Sequence, residues 1–128
     1  KGKPYPYSPS GMPGVETSLP LMLTAMQEGK CDLAQIQKWM CSGPATLYGI
    51  PNKGAIREGF DADLTLVNLD ASKVVTDEEV FSKVKWSPFS GRALTGWPIY
   101  TIVGGNIVFD NGIVRDNVYG KALTYSSQ

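Results

Sequence analysis

The stretch Ile99-Tyr100-Thr101-Ile102-Val103-Gly104-Gly105-Asn106-Ile107-Val108-Phe109-Asp110-Asn111-Gly112-Ile113-Val114-Arg115 decides how the chain is read. Three short runs rich in β-branched and aromatic residues are separated by Gly-Gly and by Asp-Asn-Gly, the residues that tolerate the left-handed backbone of tight hairpins. The pattern predicts a three-stranded meander. Upstream, residues 62–69 (ADLTLVNL) have the same strand character and follow turn signals at Gly54 and Gly59-Phe60-Asp61. Between these strands, Thr76 and Glu79 have capping-box spacing, which predicts one helical turn within residues 76–83. The tail from Asp116 is expected to drape over the surface.

Before Pro51 the period is helical. Leu19, Leu21, Met22, Leu23, Ala25 and Met26 cover most of a helix running from Val15 to Glu28, with Pro20 tolerable only in a first turn and Gly29 as the stop. A helix apolar nearly all round calls for burial on several sides, so a large exposed apolar patch is expected on it if this chain stands alone. Asp32 and Gln35 form a capping box ahead of Leu33, Ile36, Trp39 and Met40, and a third short helix is expected over Pro44–Tyr48, closed by Gly49. Helices first and strands afterwards imply an α+β chain with two regions meeting near Pro51.

The first fourteen residues, KGKPYPYSPSGMPG, carry four prolines and three glycines and so form an irregular loop. Loops of this length are often functional. Within it, Ser10-Gly11-Met12-Pro13-Gly14 runs into a helix N-terminus, where glycine lets main-chain groups approach a ligand and anions are favoured. On pattern alone a plain structural loop is the simpler reading.

Bulk composition narrows the function. The 128 residues are 42% hydrophobic and 19% charged, an ordinary folded composition, and the twelve basic and twelve acidic side chains cancel. Nucleic acid and anionic membranes, which demand a basic excess, are excluded as main partners. No apolar run approaches a membrane span and no signal core opens the chain. The start at Lys1 rather than Met fits a fragment. Cys31 and Cys41 lack metal or redox spacing and are expected to be reduced, buried thiols of a cytoplasmic protein.

Other candidate side chains have structural readings. Asp61 and Asp63, two apart, would share one face of a strand, but an acid–base pair needs environments that separate the two pKa values. The simpler assignment has Asp61 shaping the turn and Asp63 entering the strand. Asp77-Glu78-Glu79 suits a helix N-terminus better than a cation site, since its spacing is not that of a calcium loop. Tyr5, Tyr7, Trp39, Trp86 and Trp97 are scattered, without the basic stripe of a base-stacking platform. The chain has no histidine, which removes the usual neutral nitrogen ligand and the side chain suited to proton transfer near neutral pH.

Four stretches, in order, carry a resemblance: SPSGMPGVETSLPLMLT, GPATLYGIPNKGAIREGFDADLTLVNL, WSPFSGRALTGWPIYTIVGGNIVF and the glycine-bearing tail. Together they resemble the dihydroorotases of the amidohydrolase superfamily over most of residues 8–114. The KGAIREGFDADLTLV stretch is shared by cyclic amidohydrolases generally, including hydantoinases and allantoinases, whereas PGVETSLPLMLT and SPFSGRALTG tilt the likeness to dihydroorotase. Gly43-Pro44 stands where relatives have Asn-Pro, and glycine can still cap a helix there.

The resemblance implies a (β/α)8 barrel with a small β-sandwich built from both chain ends. Residues 1–50 would close the barrel (substrate loop 1–14, helices 15–50), and residues 51–128 would be the C-terminal part of the sandwich. It implies zinc-dependent interconversion of N-carbamoyl-L-aspartate and (S)-dihydroorotate in pyrimidine synthesis, with every metal ligand upstream of this chain and none bound by it. The segment following the metal-site aspartate contacts substrate in such enzymes, which points to Ser10 and Gly11; no catalytic residue is implied here. Implied partners are the small-molecule substrate, the missing N-terminal barrel portion, another copy in a homo-oligomer, or aspartate carbamoyltransferase. Two further readings stay open, a non-catalytic scaffold subunit for aspartate carbamoyltransferase and an allantoinase or hydantoinase-type amidase.

Overall fold

A computed structural model describes residues 3, 4, 6, 7 and 11–125; Tyr5 and Ser10 lie outside them. Helix α1 (Val15–Gln27) comes first, followed by α2 (Leu33–Gln37), a π-helical turn (Lys38–Ser42) and α3 (Gly43–Leu47). Strands β1 (Leu64–Val74), β2 (Ala93–Val103), β3 (Asn106–Asp110) and β4 (Ile113–Val114) form one antiparallel sheet in sequential order. No helix among the described residues is long and apolar enough to cross a membrane.

The meander forms where its turns predict. Gly104 and Gly105 join β2 to β3 with φ of 55° and 81°, and Asn111 and Gly112 join β3 to β4 with φ of 46° and 93°. Two successive positive φ values define the hairpin turn whose twist matches the strands, which is why glycine and asparagine stand there.

Several expectations need correction. The turn signals do not bound the strands: β1 starts at Leu64 and runs on to Val74, and β2 starts back at Ala93, before the expected Ile99. Pairing with a neighbour extends both beyond their own propensity, carrying Gly96 and Pro98 into a strand. Residues 76–83 contain bends and turns, with Val80 N donating to Asp77 O at 3.3 Å, but no helix. Pro20 sits in the second turn of α1, not the first. The expected third helix is not separate either, because the π-helical turn fuses α2 to α3.

Gly43 does not cap that helix. Its N–H closes the π turn by donating to Lys38 O, and a Cβ at this position would collide with the same carbonyl. The following proline supplies no N–H, and such ladder irregularities occur where a regular bond is missing. The Asp32–Gln35 capping box forms as read, with Gln35 N donating to Asp32 Oδ1 at 2.7 Å and Asp32 N to Gln35 Oε1 at 2.9 Å. Past α1, Lys30 N donates to Ala25 O and Gly29 N to Met26 O, both at 2.9 Å, the paired closure expected of a glycine-ended helix.

The core lies between α1 and β2. Leu23 and Leu94 are fully buried, with Pro20, Val75 and Val80 beside them. Three residues of β1, Leu69 to Ala71, stand opposite the single residue Gly96 of β2. Gly96 has φ of 94°, and a Cβ there would lie 2.5 Å from Leu23 Cβ. Thr24 Oγ1 accepts from Thr95 N at 2.8 Å, and its proton is shared between Pro20 O at 2.7 Å and Thr95 O at 3.1 Å. The hydroxyl therefore satisfies backbone groups where the β1–β2 ladder is interrupted. Gln27 Nε2 donates to Leu69 O at 3.2 Å and pins the bulged segment itself.

Because α1 finds this partner, Val15 is its only strongly exposed large apolar side chain. Among the helices that follow, Leu33, Trp39, Leu47 and Tyr48 are exposed. A short amphipathic run covers only one side of itself, and here Ile36 and Ala45 take the buried side.

Gly96→Ala is expected to lower unfolding free energy by about 3 kcal/mol, combining overpacking against Leu23 with a positive φ that a Cβ disfavours. Denaturant titration checks this; a loss within about 0.5 kcal/mol, the scatter of surface substitutions, would show that helix and strand separate easily.

Candidate functional site

Residues 11–14 lead into α1, and of these Pro13 and Gly14 line one wall of an open groove of about 1060 Å³. Gly14, Glu16 and Pro20 line that wall, Val80 the segment opposite, and Trp97 and Phe109 the sheet face. Gly11 and Met12 are exposed. A Cβ placed on Gly11 or Gly14 would meet nothing within 4 Å, so crowding among the described residues does not account for either glycine. Gly14 is the N-cap of α1 and supplies no side chain to bond the first turn. Thr17 closes that turn from within, its N–H and hydroxyl both directed at Gly14 O, at 3.3 and 3.4 Å.

Glu16, in the first turn of α1, faces another element. Its Oε2 accepts from Phe81 N at 2.9 Å and its Oε1 from Ser82 N at 2.8 Å. Consecutive amides at an ionised carboxylate make strong charge-assisted bonds. Sequence reading passed over Glu16 and Thr24; the available signal was a polar residue set into an otherwise apolar helix.

The paired aspartates meet a cation that sequence reading had not connected to them. Lys53 Nζ bridges Asp61 Oδ2 at 2.9 Å and Asp63 Oδ2, while Asp63 Oδ1 accepts from Gly104 N at 2.7 Å. The hydrogen bond from Lys53, aided by Gly104 N–H, holds the Asp63 carboxyl below its ordinary 3.8. The same bond to Asp63, with a second to Asp61, raises the Lys53 ammonium above 10.5. Both shifts strengthen the charged forms, so the cluster joins the 50s loop to the sheet and is not poised to transfer protons near neutral pH.

The remaining candidates have structural surroundings. Asp77 Oδ1 accepts from Ser87 N at 2.9 Å. Cys31 and Cys41 are free, as expected, but Cys41, within the π turn, is exposed and Cys31 only half-buried. Among the described residues no group of three His, Cys, Asp or Glu side chains converges as metal ligands would. With no histidine in the chain, its residues do not fit a zinc centre.

The profile of the amidohydrolase family matches residues 12–108, from the end of the first loop through α1, β1 and β2 into β3. The dihydroorotase of Methanosphaera stadtmanae is 38% identical over 109 residues, covering 84% of this chain and 25% of that protein. An L-hydantoinase of Paenarthrobacter aurescens is 39% identical over 118 residues, 90% of this chain and 26% of its own length. Among solved structures, an L-hydantoinase (dihydropyrimidinase) from Arthrobacter aurescens superposes with a TM-score of 0.84 at 40% identity, covering 89% of this chain and 26% of that one. The chain thus spans about a quarter of the length of the curated relatives it matches.

Asp63→Asn should cost about 1 kcal/mol at pH 7, the scale of a partly exposed ion pair. The folded-state pKa of Asp63 is depressed, so its contribution is present above the unfolded value near 3.8 and disappears as pH falls through the folded value. Urea denaturation of both proteins at pH 7 and at pH 2 checks the sign; an equal gap at the two pH values would refute the charge origin.

Proposed function

The chain belongs to the amidohydrolase family, and from that membership we propose that it is the C-terminal part of a dihydroorotase, interconverting N-carbamoyl-L-aspartate and (S)-dihydroorotate. The supporting observation is likeness to dihydroorotases at 38% and 37% identity over 109 residues, 84% and 85% of this chain, not over one short motif. In this reading residues 1–50 complete a (β/α)8 barrel and residues 51–128 contribute the C-terminal strands of a β-sandwich. The reaction belongs to pyrimidine synthesis in the cytoplasm.

Ring closure forms an amide between the carbamoyl nitrogen and the side-chain carboxyl of the aspartate moiety, releasing water; hydrolysis returns that water to the ring carbonyl. Among the described residues, the Glu16 carboxylate, two residues beyond Gly14, is engaged by the amides of Phe81 and Ser82. In sequence Ser10 and Gly11 lead toward the N-terminus of α1, and main-chain groups there would suit recognition of a polar, anionic substrate. Their role in the proposal is substrate contact. Zinc, in the same proposal, belongs to polypeptide beyond these residues. That polypeptide is also the partner suited to cover the groove and the exposed Leu33, Trp39, Leu47 and Tyr48.

A hydantoinase-type activity is the second reading, favoured by the likeness to L-hydantoinases in both sequence and structure. Both readings describe opening of a cyclic amide and differ in the ring. The test is a substrate panel on a polypeptide joining this chain to its upstream barrel. Opening of dihydroorotate but not of 5-substituted hydantoins supports the first reading, the reverse supports the second, and activity on neither overturns both.

The 128-residue chain by itself is expected to turn over no dihydroorotate with zinc added, and to self-associate or bind the upstream portion through its apolar surface. Light scattering and co-purification check the latter. A monodisperse monomer indifferent to the upstream portion would contradict it, as measurable turnover would contradict the former.

A further inference from the structure

We propose that Glu16 is a positioning residue for the Gly11–Gly14 segment, holding it in place through the loop of residues 76–91; the inference rests on the proposed role of that segment in substrate contact. Carboxylates early in a helix ordinarily favour the positive end of its dipole. Glu16 directs both oxygens to the amides of Phe81 and Ser82 instead, across 65 and 66 residues of sequence.

The 76–91 loop is itself tied down at its base. Val75 N donates to Arg92 O at 3.0 Å and Gly91 N to Val75 O at 2.8 Å, joining the end of β1 to the start of β2. Within the loop, Ser87 N donates to Asp77 Oδ1 at 2.9 Å and Lys85 Nζ to Val80 O at 2.8 Å. The sheet thus fixes the loop, the loop fixes Glu16, and Glu16 sits two residues beyond Gly14. Among the described residues no hydrogen bond joins Gly11, Met12 or Pro13 to the rest of the fold. Their placement therefore depends on the start of α1. Thr24 and Leu23 lie two turns further along and cannot set the orientation of the first turn as directly.

Hydrogen exchange read by mass spectrometry on the 128-residue chain tests this, since peptide-level readout tolerates self-association. Glu16→Ala is expected to speed exchange about tenfold in peptides covering residues 78–84 and also in those covering 11–18. Glu16→Gln keeps one acceptor oxygen and should restore part of the protection in both. If Glu16→Ala loosens the whole chain, Glu16→Gln alone decides. Loosening confined to 78–84, or absent from both segments, overturns the proposal.

In a polypeptide supplying the upstream barrel, Glu16→Gln should raise KM for the cyclic amide several-fold while kcat stays within about twofold, the pattern of lost binding alone. An unchanged KM with a reduced kcat also overturns the proposal. Lack of wild-type turnover of any cyclic amide counts against the functional reading, and the exchange data then decide the positioning role by themselves.

Discussion

Everything in this chain is arranged around the seat of α1 on β2. Leu23 closes on Gly96, where no side chain could intervene, and Thr24 satisfies the backbone of Thr95 where β1 bulges away. A helix with this much apolar surface would be unstable in water alone. The bulge would leave strand amides without partners. Each element answers the other's deficiency, so neither is expected to persist without its neighbour.

Two further ties extend this seat along the helix. Gln27 reaches Leu69 near the C-terminal end, and Glu16 reaches Phe81 and Ser82 near the N-terminal end. The polar side chains of α1 thus hold its orientation on the sheet while its leucines supply burial. In the proposed reading that division matters for function, because the Gly11–Gly14 segment runs directly into the first turn, whose Glu16 bonds are individually modest and jointly directional.

Much of the local structure was legible beforehand. Gly104-Gly105 and Asn111-Gly112 specify their turns through φ values few other residues tolerate, and the Asp32–Gln35 box carries its own hydrogen-bonding logic. The existence of a strand within residues 62–69 and a helix starting at Val15 also followed from periodicity. What failed were boundaries and exceptions. Pairing drew β2 back to Ala93 through Gly96 and Pro98, residues that argue against a strand when read singly. The π turn at Lys38–Ser42 fused two helices, and the acidic run at 77–79 bent into a loop without forming a helix.

The candidate site divides the same way. Motif order alone pointed to the amidohydrolase family, since an ordered set of motifs is visible without coordinates. Which polar groups meet was not visible. Lys53 with Asp61 and Asp63, Thr24 with Thr95, and Glu16 with Phe81 and Ser82 are brought together by folding, the last pairs across more than sixty residues. Local sequence specifies turns, caps and periodic faces because those depend on neighbours within a few residues. Charge pairing and helix seating depend on the path of the whole chain, and only the tertiary structure decided them.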